Sequence, residues 1–352
     1  MKIKYFKLGF LALLTLALCI SCEPDDSTDL NVFDVRDRVE QQETDNDSIV
    51  DYFATHYYNA SFFETGINHK IEDLVISDSP TDADGNPNKL LSEALAEGTI
   101  ITATTTLVET DYTYYYMKLN QGGGKSPAFT DQVRVRYQGF DMEEEQVFDQ
   151  VVTPINLPLT GINFTGGAIP GWQRIIPEFN TALDFTSGTD GVTNFNDYGF
   201  GVMFVPSGLA YYASPPPGST IDAYDNLVFK FELLQMEELD HDGDGVLSYL
   251  EDLNNDGSVF DEDTDGDGSS NYFDLDDDGD GVATLNELLP TIYTVDTNNG
   301  DLEPVLLDNE YEISRSEELG VITINTVTIV DTDNNDIPDY LDAEITINYN
   351  EE

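Results

Sequence analysis

Basic residues are scarce in this chain: 14 Lys and Arg stand against 69 Asp and Glu, a formal net charge of −55. A surface so short of cations cannot neutralise phosphates, which excludes nucleic acid as a partner. The same imbalance draws cations in and makes the chain repel itself until they bind. Cysteine is nearly absent: Cys19 and Cys22 are the only two, both close to the N-terminus, so no disulfide framework holds the fold. A domain with an adequate core needs none. Long hydrophobic runs are missing as well. The apolar run Leu8–Ile20 falls short of the roughly 20 residues that cross a bilayer. Apolar residues are nonetheless plentiful at 40%, with 19 Tyr and 19 Phe, and 352 residues leave room for two or three domains with at least one real core.

Lys2, Lys4 and Lys7 ahead of Leu8–Ile20 have the make-up of a signal peptide. Cys19-Ile20-Ser21-Cys22 then resembles a bacterial lipobox, with the small Ser21 before the acylated Cys22 and with Cys19 where Leu is usual. The alternative is an ordinary cleaved leader that leaves a free thiol. The lipobox implies residues 1–22 as leader, an extracytoplasmic chain anchored to a lipid membrane through Cys22, and an outer-membrane location. The acidic Glu23-Pro24-Asp25-Asp26 resembles export signals of surface-displayed lipoproteins.

Residues 23–111 read as a polar tether and a small region of unknown role. Helices are expected around Val32–Gln42 and over 49–67, and strands over Ile71–Ile76 and Ile100–Val108. From Tyr112 the pattern changes to short β runs broken by Gly and Pro. Val133-Arg134-Val135-Arg136-Tyr137 alternates as a half-buried strand does, and Leu227–Leu234 is a second clear strand. Trp172–Phe179 reads as a short helix, which argues for an α+β domain over 112–238. Gly122-Gly123-Gly124-Lys125-Ser126 ends like a phosphate-binding loop. Its leading Gly is replaced by Leu119 and no helix follows, so a glycine-rich turn is expected.

Six motifs within 112–238 resemble, in order, those of FKBP-type peptidyl-prolyl isomerases: Val135-Arg136-Tyr137-Gln138-Gly139, Val147-Phe148-Asp149, Pro154-Ile155-Asn156-Leu157, Ala168-Ile169-Pro170-Gly171-Trp172, Ala210-Tyr211 and Leu227–Leu234. The resemblance implies an antiparallel sheet wrapped on a short helix. It also implies a pocket of Tyr137, Phe148, Asp149, Ile155, Ala168, Ile169, Trp172, Tyr211, Ile221 and Phe229 that takes Pro-containing segments and needs no cofactor. Trp172 would form the floor, with Tyr137, Phe148 and Phe229 as walls. The Ile169 N–H and Tyr211 hydroxyl would hold substrate carbonyls, and Asp149 would orient its neighbours. Several positions depart from the family: Ile155 and Ala168 are small, Asp222 follows Ile221 where Pro is usual, Tyr212 replaces a Gly, and 184–198 looks inserted.

Residues 239–290 form an acidic repeat. Between Asp240 and Glu287 there are 17 Asp or Glu and no Lys or Arg. Asp240, Asp242, Asp244, Gly245, Ser248 and Glu251 fall at positions 1, 3, 5, 6, 9 and 12 of a calcium loop, with the Val246 carbonyl at position 7. Asp276, Asp278, Asp280, Gly281, Val282, Thr284 and Glu287 repeat that spacing. Between them lie Asp252, Asn254, Asp256 and Asp263, then Asp263, Asp265, Asp267 and Asp274. Alternate oxygens converging on a hard cation explain the pattern. The 12-residue spacing leaves no room for EF-hand helices, so the stretch resembles thrombospondin type 3 repeats with structural Ca2+; a solvated acidic linker is the alternative. Residues 291–352 read as β structure with one further loop, Asp331-Thr332-Asp333-Asn334-Asn335-Asp336, which has Asp at the Gly position. The expected protein is an isomerase that assists folding of exported proteins, or a catalytically inactive binding lipoprotein on a calcium-stiffened stalk.

Overall fold

The structure, a computed structural model, describes residues 35–162, 166–189 and 191–350. The leader, Cys22 and residues 23–34 of the expected tether lie outside the described residues.

The first helix, α1 (Arg38–Thr55), is continuous. Asp37 caps it, accepting from the amides of Val39 at 2.9 Å and Glu40 at 3.1 Å. Two separate helices, around Val32–Gln42 and over 49–67, were expected there, with the polar Asp45-Asn46-Asp47 as part of a tether. Asp45 instead faces inward with Gln41, Ile49, Tyr52 and Phe53, a spacing that puts them on one helical face. Beyond α1 the expected strand at Ile71–Ile76 is a 3-10 turn, Ile71–Asp73, and a two-residue strand, Ile76–Ser77. A short helix, α2 (Leu91–Ala96), follows.

The main sheet is built from β1 (Ile100–Leu107), β2 (Thr110–Asn120), β3 (Gln132–Asp141), β4 (Val147–Pro158), β5 (Gly199–Val205) and β6 (Leu227–Glu237). Its spatial order is β1-β2-β5-β6-β3-β4, with every neighbouring pair antiparallel. The α+β class is therefore as expected. The boundary expected at 112 falls inside the β1–β2 hairpin, so the sheet begins at Ile100. A ribbon of Asp184–Ser187 and Thr193–Asn196 accounts for the extra residues before β5. The glycine-rich turn follows β2. Gly122 has φ +89°, and a Cβ there would lie 2.2 Å from the Asn180 carbonyl oxygen.

Both faces of the sheet are covered. On one, Tyr112, Tyr114 and Tyr116 of β2 join Met203, Phe229 and Phe231 around α3 (Pro170–Ile175). On the other, Tyr115, Met117, Phe200, Phe204 and Val228 pack against Ile49, Tyr52 and Phe53 of α1 and Leu91 of α2. Alternation along β2 assigns its odd and even residues to different cores. Strand β5 is buried at every position, as a strand covered on both faces must be.

The acidic repeat is a chain of loops with 3-10 turns at Ser248–Glu251 and Asn271–Phe273 and a single helical turn at Thr284–Glu287. A three-stranded antiparallel sheet follows, with β7 (Leu289–Asp296), β8 (Glu310–Glu318) and β9 (Val321–Thr328) in the order β7-β9-β8. Val246 and Leu288 share a small core with Val327 and Tyr340. The first loop of the repeat thus packs against the C-terminal segment, across the boundary expected at 290.

Candidate functional site

Strands β3, β4 and β6 and helix α3 bring most of the predicted pocket together. Trp172 is 3% exposed and meets the Tyr137 ring edge-on at 5.3 Å and Phe229 at 5.5 Å. Phe148 meets Phe229 edge-on at 5.5 Å, so four rings form a cup with T-shaped contacts. The sequence around them is dictated by closeness. A Cβ on Gly139 would lie 2.6 Å from Phe148 Cζ and 2.8 Å from Phe229 Cε1. Pro170 opens α3 behind extended Ile169, where a missing N–H and fixed φ cost nothing.

Ile221 is buried in the same cluster, while Ala168, Ile169 and Tyr211 pack against it partly exposed. Ile155 stands apart: it is exposed on β4 opposite Val135, beside a register shift, whereas Phe148 and Leu157 of the same strand pack against the cluster. At the polar edge the Tyr137 hydroxyl donates to Asp149 Oδ2 at 2.5 Å. Burial, then that bond and the charge of Asp149, hold the Tyr137 hydroxyl above its ordinary range. Burial and Asp149 push Tyr211 the same way. Both tyrosine hydroxyls therefore stay protonated near neutrality. The cup's described side chains are suited to binding an apolar segment, excluding water and donating hydrogen bonds.

The flap carrying Tyr211 is tied to α1, a link not visible in the sequence motifs. Asp45 is 2% exposed and accepts from Ser207 Oγ at 2.6 Å, Ser207 N at 3.0 Å and Gln41 Nε2 at 2.6 Å. Tyr212, where the family has Gly, takes φ +52°. That left-handed backbone costs a non-Gly residue about 1–2 kcal/mol. Its ring is held edge-on to Tyr224 at 5.1 Å and under the Arg38 guanidinium at 4.2 Å, which offsets the strain. Arg38 also donates to Tyr112 Oη at 2.9 Å.

A cleft of about 990 Å³ adjoins the cup at Ala168. Its walls are the Thr106–Glu109 turn, Gln173 and Arg174 of α3, and residues 256–261 of the repeat. Arg174 donates to the carbonyl of Gly257 and, at 3.1 Å, to Thr105 Oγ1, which docks the repeat on the helix carrying Trp172.

The acidic loops share one backbone design. The position-6 amide donates to the position-1 carboxylate in all five: Gly245 to Asp240 (3.0 Å), Gly257 to Asp252 (2.9 Å), Gly268 to Asp263 (3.1 Å), Gly281 to Asp276 (3.1 Å) and Asp336 to Asp331 (3.0 Å). Position 9 turns back on the loop rather than inward. Ser248 Oγ accepts from the His241 amide at 3.1 Å, and Thr284 Oγ1 accepts from the Asp277 amide at 3.2 Å. Three-carboxylate groupings able to hold a cation occur at Asp240-Asp242-Asp244, Asp263-Asp265-Asp267 and Asp276-Asp278-Asp280. Glu251 and Glu287, each 1% exposed, have no partner on either oxygen. Burial, then neighbouring carboxylates, push Glu251 up to about 11 and Glu287 to about 9. Such buried, crowded anions fit a site for a divalent cation. In the second loop, Asp252 and Asp256 lie near the half-buried Arg174. In the last loop, Asn335 Nδ2 donates to Asp342 Oδ2 at 2.7 Å, which links positions 5 and 12 without an ion.

A family model described as BamM C-terminal matches residues 241–312, across the repeat and into β8. The chain is 31% identical over 121 residues to the FKBP-type 22 kDa peptidyl-prolyl cis-trans isomerase of Escherichia coli. That match covers 34% of this chain and 47% of the relative, so the chain spans about half the relative's length. Among solved structures, a peptidyl-prolyl cis-trans isomerase from Pseudomonas syringae pv. tomato aligns at 24% identity and TM-score 0.28, over 36% of this chain and 76% of that one. FkpA from Escherichia coli aligns at 23% and TM-score 0.27, over 38% and 51%. Over about a third of its length this chain is similar to the FKBP-type peptidyl-prolyl cis-trans isomerases.

Proposed function

We propose that this chain is an extracytoplasmic FKBP-type peptidyl-prolyl cis-trans isomerase that assists the folding of exported proteins. Acylated Cys22 would anchor it to the outer membrane, with display at the cell surface. The observation that supports catalysis is the four-ring cup closed by the Tyr137–Asp149 bond. Rotation about an X-Pro bond requires loss of amide resonance, and the uncatalysed step takes tens to hundreds of seconds. A dry aromatic cup disfavours the charge-separated planar amide more than the twisted one, so its binding energy acts on the transition state. The Ile169 amide and Tyr211 hydroxyl would hold the flanking carbonyls. No cofactor enters this step. Ca2+ would be structural, filling the loops at Asp240–Glu251 and Asp276–Glu287 and offsetting their charge.

A second reading is favoured by one observation: Tyr212 ties the flap to α1, which stiffens the segment that must receive substrate. On that reading the chain binds Pro-containing segments without turnover. A protease-coupled assay on an X-Pro peptide separates the two. The soluble chain should accelerate isomerisation, and Trp172→Ala should abolish most of the acceleration. Binding without acceleration by the folded wild type leaves only the second reading. Detergent partitioning of wild type against Cys22→Ser tests the anchor, and an equal soluble fraction for both would remove it.

A further inference from the structure

We propose that Asp277 is a fifth carboxylate ligand of the first acidic loop, so that one divalent hard cation of the calcium class staples the first loop to the fourth. The proposal deepens the calcium reading above and rests on it. Asp277 occupies position 2 of the fourth loop, between Asp276 and Asp278, where no loop ligand is expected. The equivalent positions elsewhere are His241, Leu253, Thr264 and Thr332.

Three observations converge on it. Asp277 is 2% exposed, and neither of its carboxylate oxygens has a partner. Ligand atoms of Asp244, Glu251 and Asp277 all lie within 4.8 Å of one another. Opposite ligands of a calcium ion, at 2.3–2.6 Å each, stand about 4.6–5.2 Å apart, so the group fits one coordination sphere. The unpartnered oxygens also suffice in number. Asp242 and Asp244 offer one each, and Glu251 and Asp277 offer two each, within the six to eight that calcium takes. Anions this buried are strongly disfavoured without a counter-charge. No Lys or Arg lies between Asp240 and Glu287 to supply it, and Arg174 is committed to Gly257 and Thr105.

The fourth loop has its own set, in which Asp276, Asp278 and Asp280 each leave one oxygen free and Glu287 leaves two. Asp277 is therefore not spare capacity for that loop; its side chain serves the neighbour while its flanking residues serve their own ion. The first site is incomplete until the fourth loop has docked. Binding at the first loop then reports the folding of the whole repeat.

Terbium, a luminescent calcium analogue, tests this on the soluble full chain. Tyr340 is 3% exposed and packs in one cluster with Val246, the position-7 residue of the first loop, which places it beside the site as a sensitiser. Tyr340→Phe assigns the first-site emission. Asp277→Asn should weaken that component at least tenfold, whereas Asp278→Asn should change it less than about twofold. In chelator, Asp277→Asn should melt above the wild type because a repulsion is removed, yet gain less from excess calcium. A purely structural Asp277 would not reverse sign in this way. An unchanged Tyr340-dependent affinity in Asp277→Asn overturns the proposal alone. A wild type with neither terbium emission nor a calcium-dependent melting shift overturns the calcium reading itself.

Discussion

Starting the chain at residue 112 instead of 37 should leave the isomerase-like domain unfolded, although all six family motifs remain. The cut removes β1 from the sheet edge and α1 and α2 from one face. Six side chains that remain would lose their cover: Tyr115 at 5% exposure and Met117, Phe200, Val202, Phe204 and Val228 at 0%. Full burial of such a side chain is worth about 1.5–3 kcal/mol, so exposing even half of each surface costs about 5–9 kcal/mol. The loss falls on residues that stay ordered, so no conformational entropy is returned to offset it. Whole-domain stability is about 5–15 kcal/mol, so the deficit removes most or all of it. Urea titrations of chains 37–352 and 112–352, followed by tryptophan emission of Trp172, provide the assay. The longer chain should give a cooperative transition and the shorter one a sloping baseline. A cooperative transition for the shorter chain with a midpoint near that of the longer would refute the reasoning, and α1 would then be an accessory rather than part of the core.

Asp45→Ala strips partners from Ser207 and Gln41 in a buried setting and should cost about 2–5 kcal/mol in denaturant unfolding, with Asn restoring part of it. Tyr137→Phe keeps the ring and removes the bond to Asp149, so peptide affinity should hold within a few-fold while kcat falls, read by separate binding and protease-coupled assays. Lys230, largely buried with its ammonium on the Leu74 carbonyl at 2.8 Å, is lowered by burial from 10.5 to about 8. Its folded form gives up a proton before the unfolded form does. Stability should therefore rise with pH between about 8 and 10.5, and Lys230→Met should lack that rise in pH-dependent melting; equal slopes would show that the ammonium is not desolvated.

The cup and the acidic loops were legible in the sequence because each rests on local spacing. The family motifs lie on individual strands and turns, and a loop that wraps a cation needs oxygens at alternate positions of a single segment. What the sequence could not give were relations between distant segments. Asp45-Asn46-Asp47 looked like a tether because its polarity is evident from the chain, while the burial of Asp45 depends on Ser207 lying opposite. Arg136 read as the solvent side of an alternating strand, yet it pairs at 2.6 Å with Glu232, which is 2% exposed beneath Ile71. Ile155 matched its motif by order, but in the fold it is exposed while Phe148 and Leu157 of the same strand pack inward. Asp277 sat at an ordinary loop position, and only the packing of one loop on another put its carboxylate beside Asp244 and Glu251. Local patterns fix which elements can form. Burial, the second cover of the sheet and contacts between loops are sums over the whole chain, and only the tertiary structure carries them out.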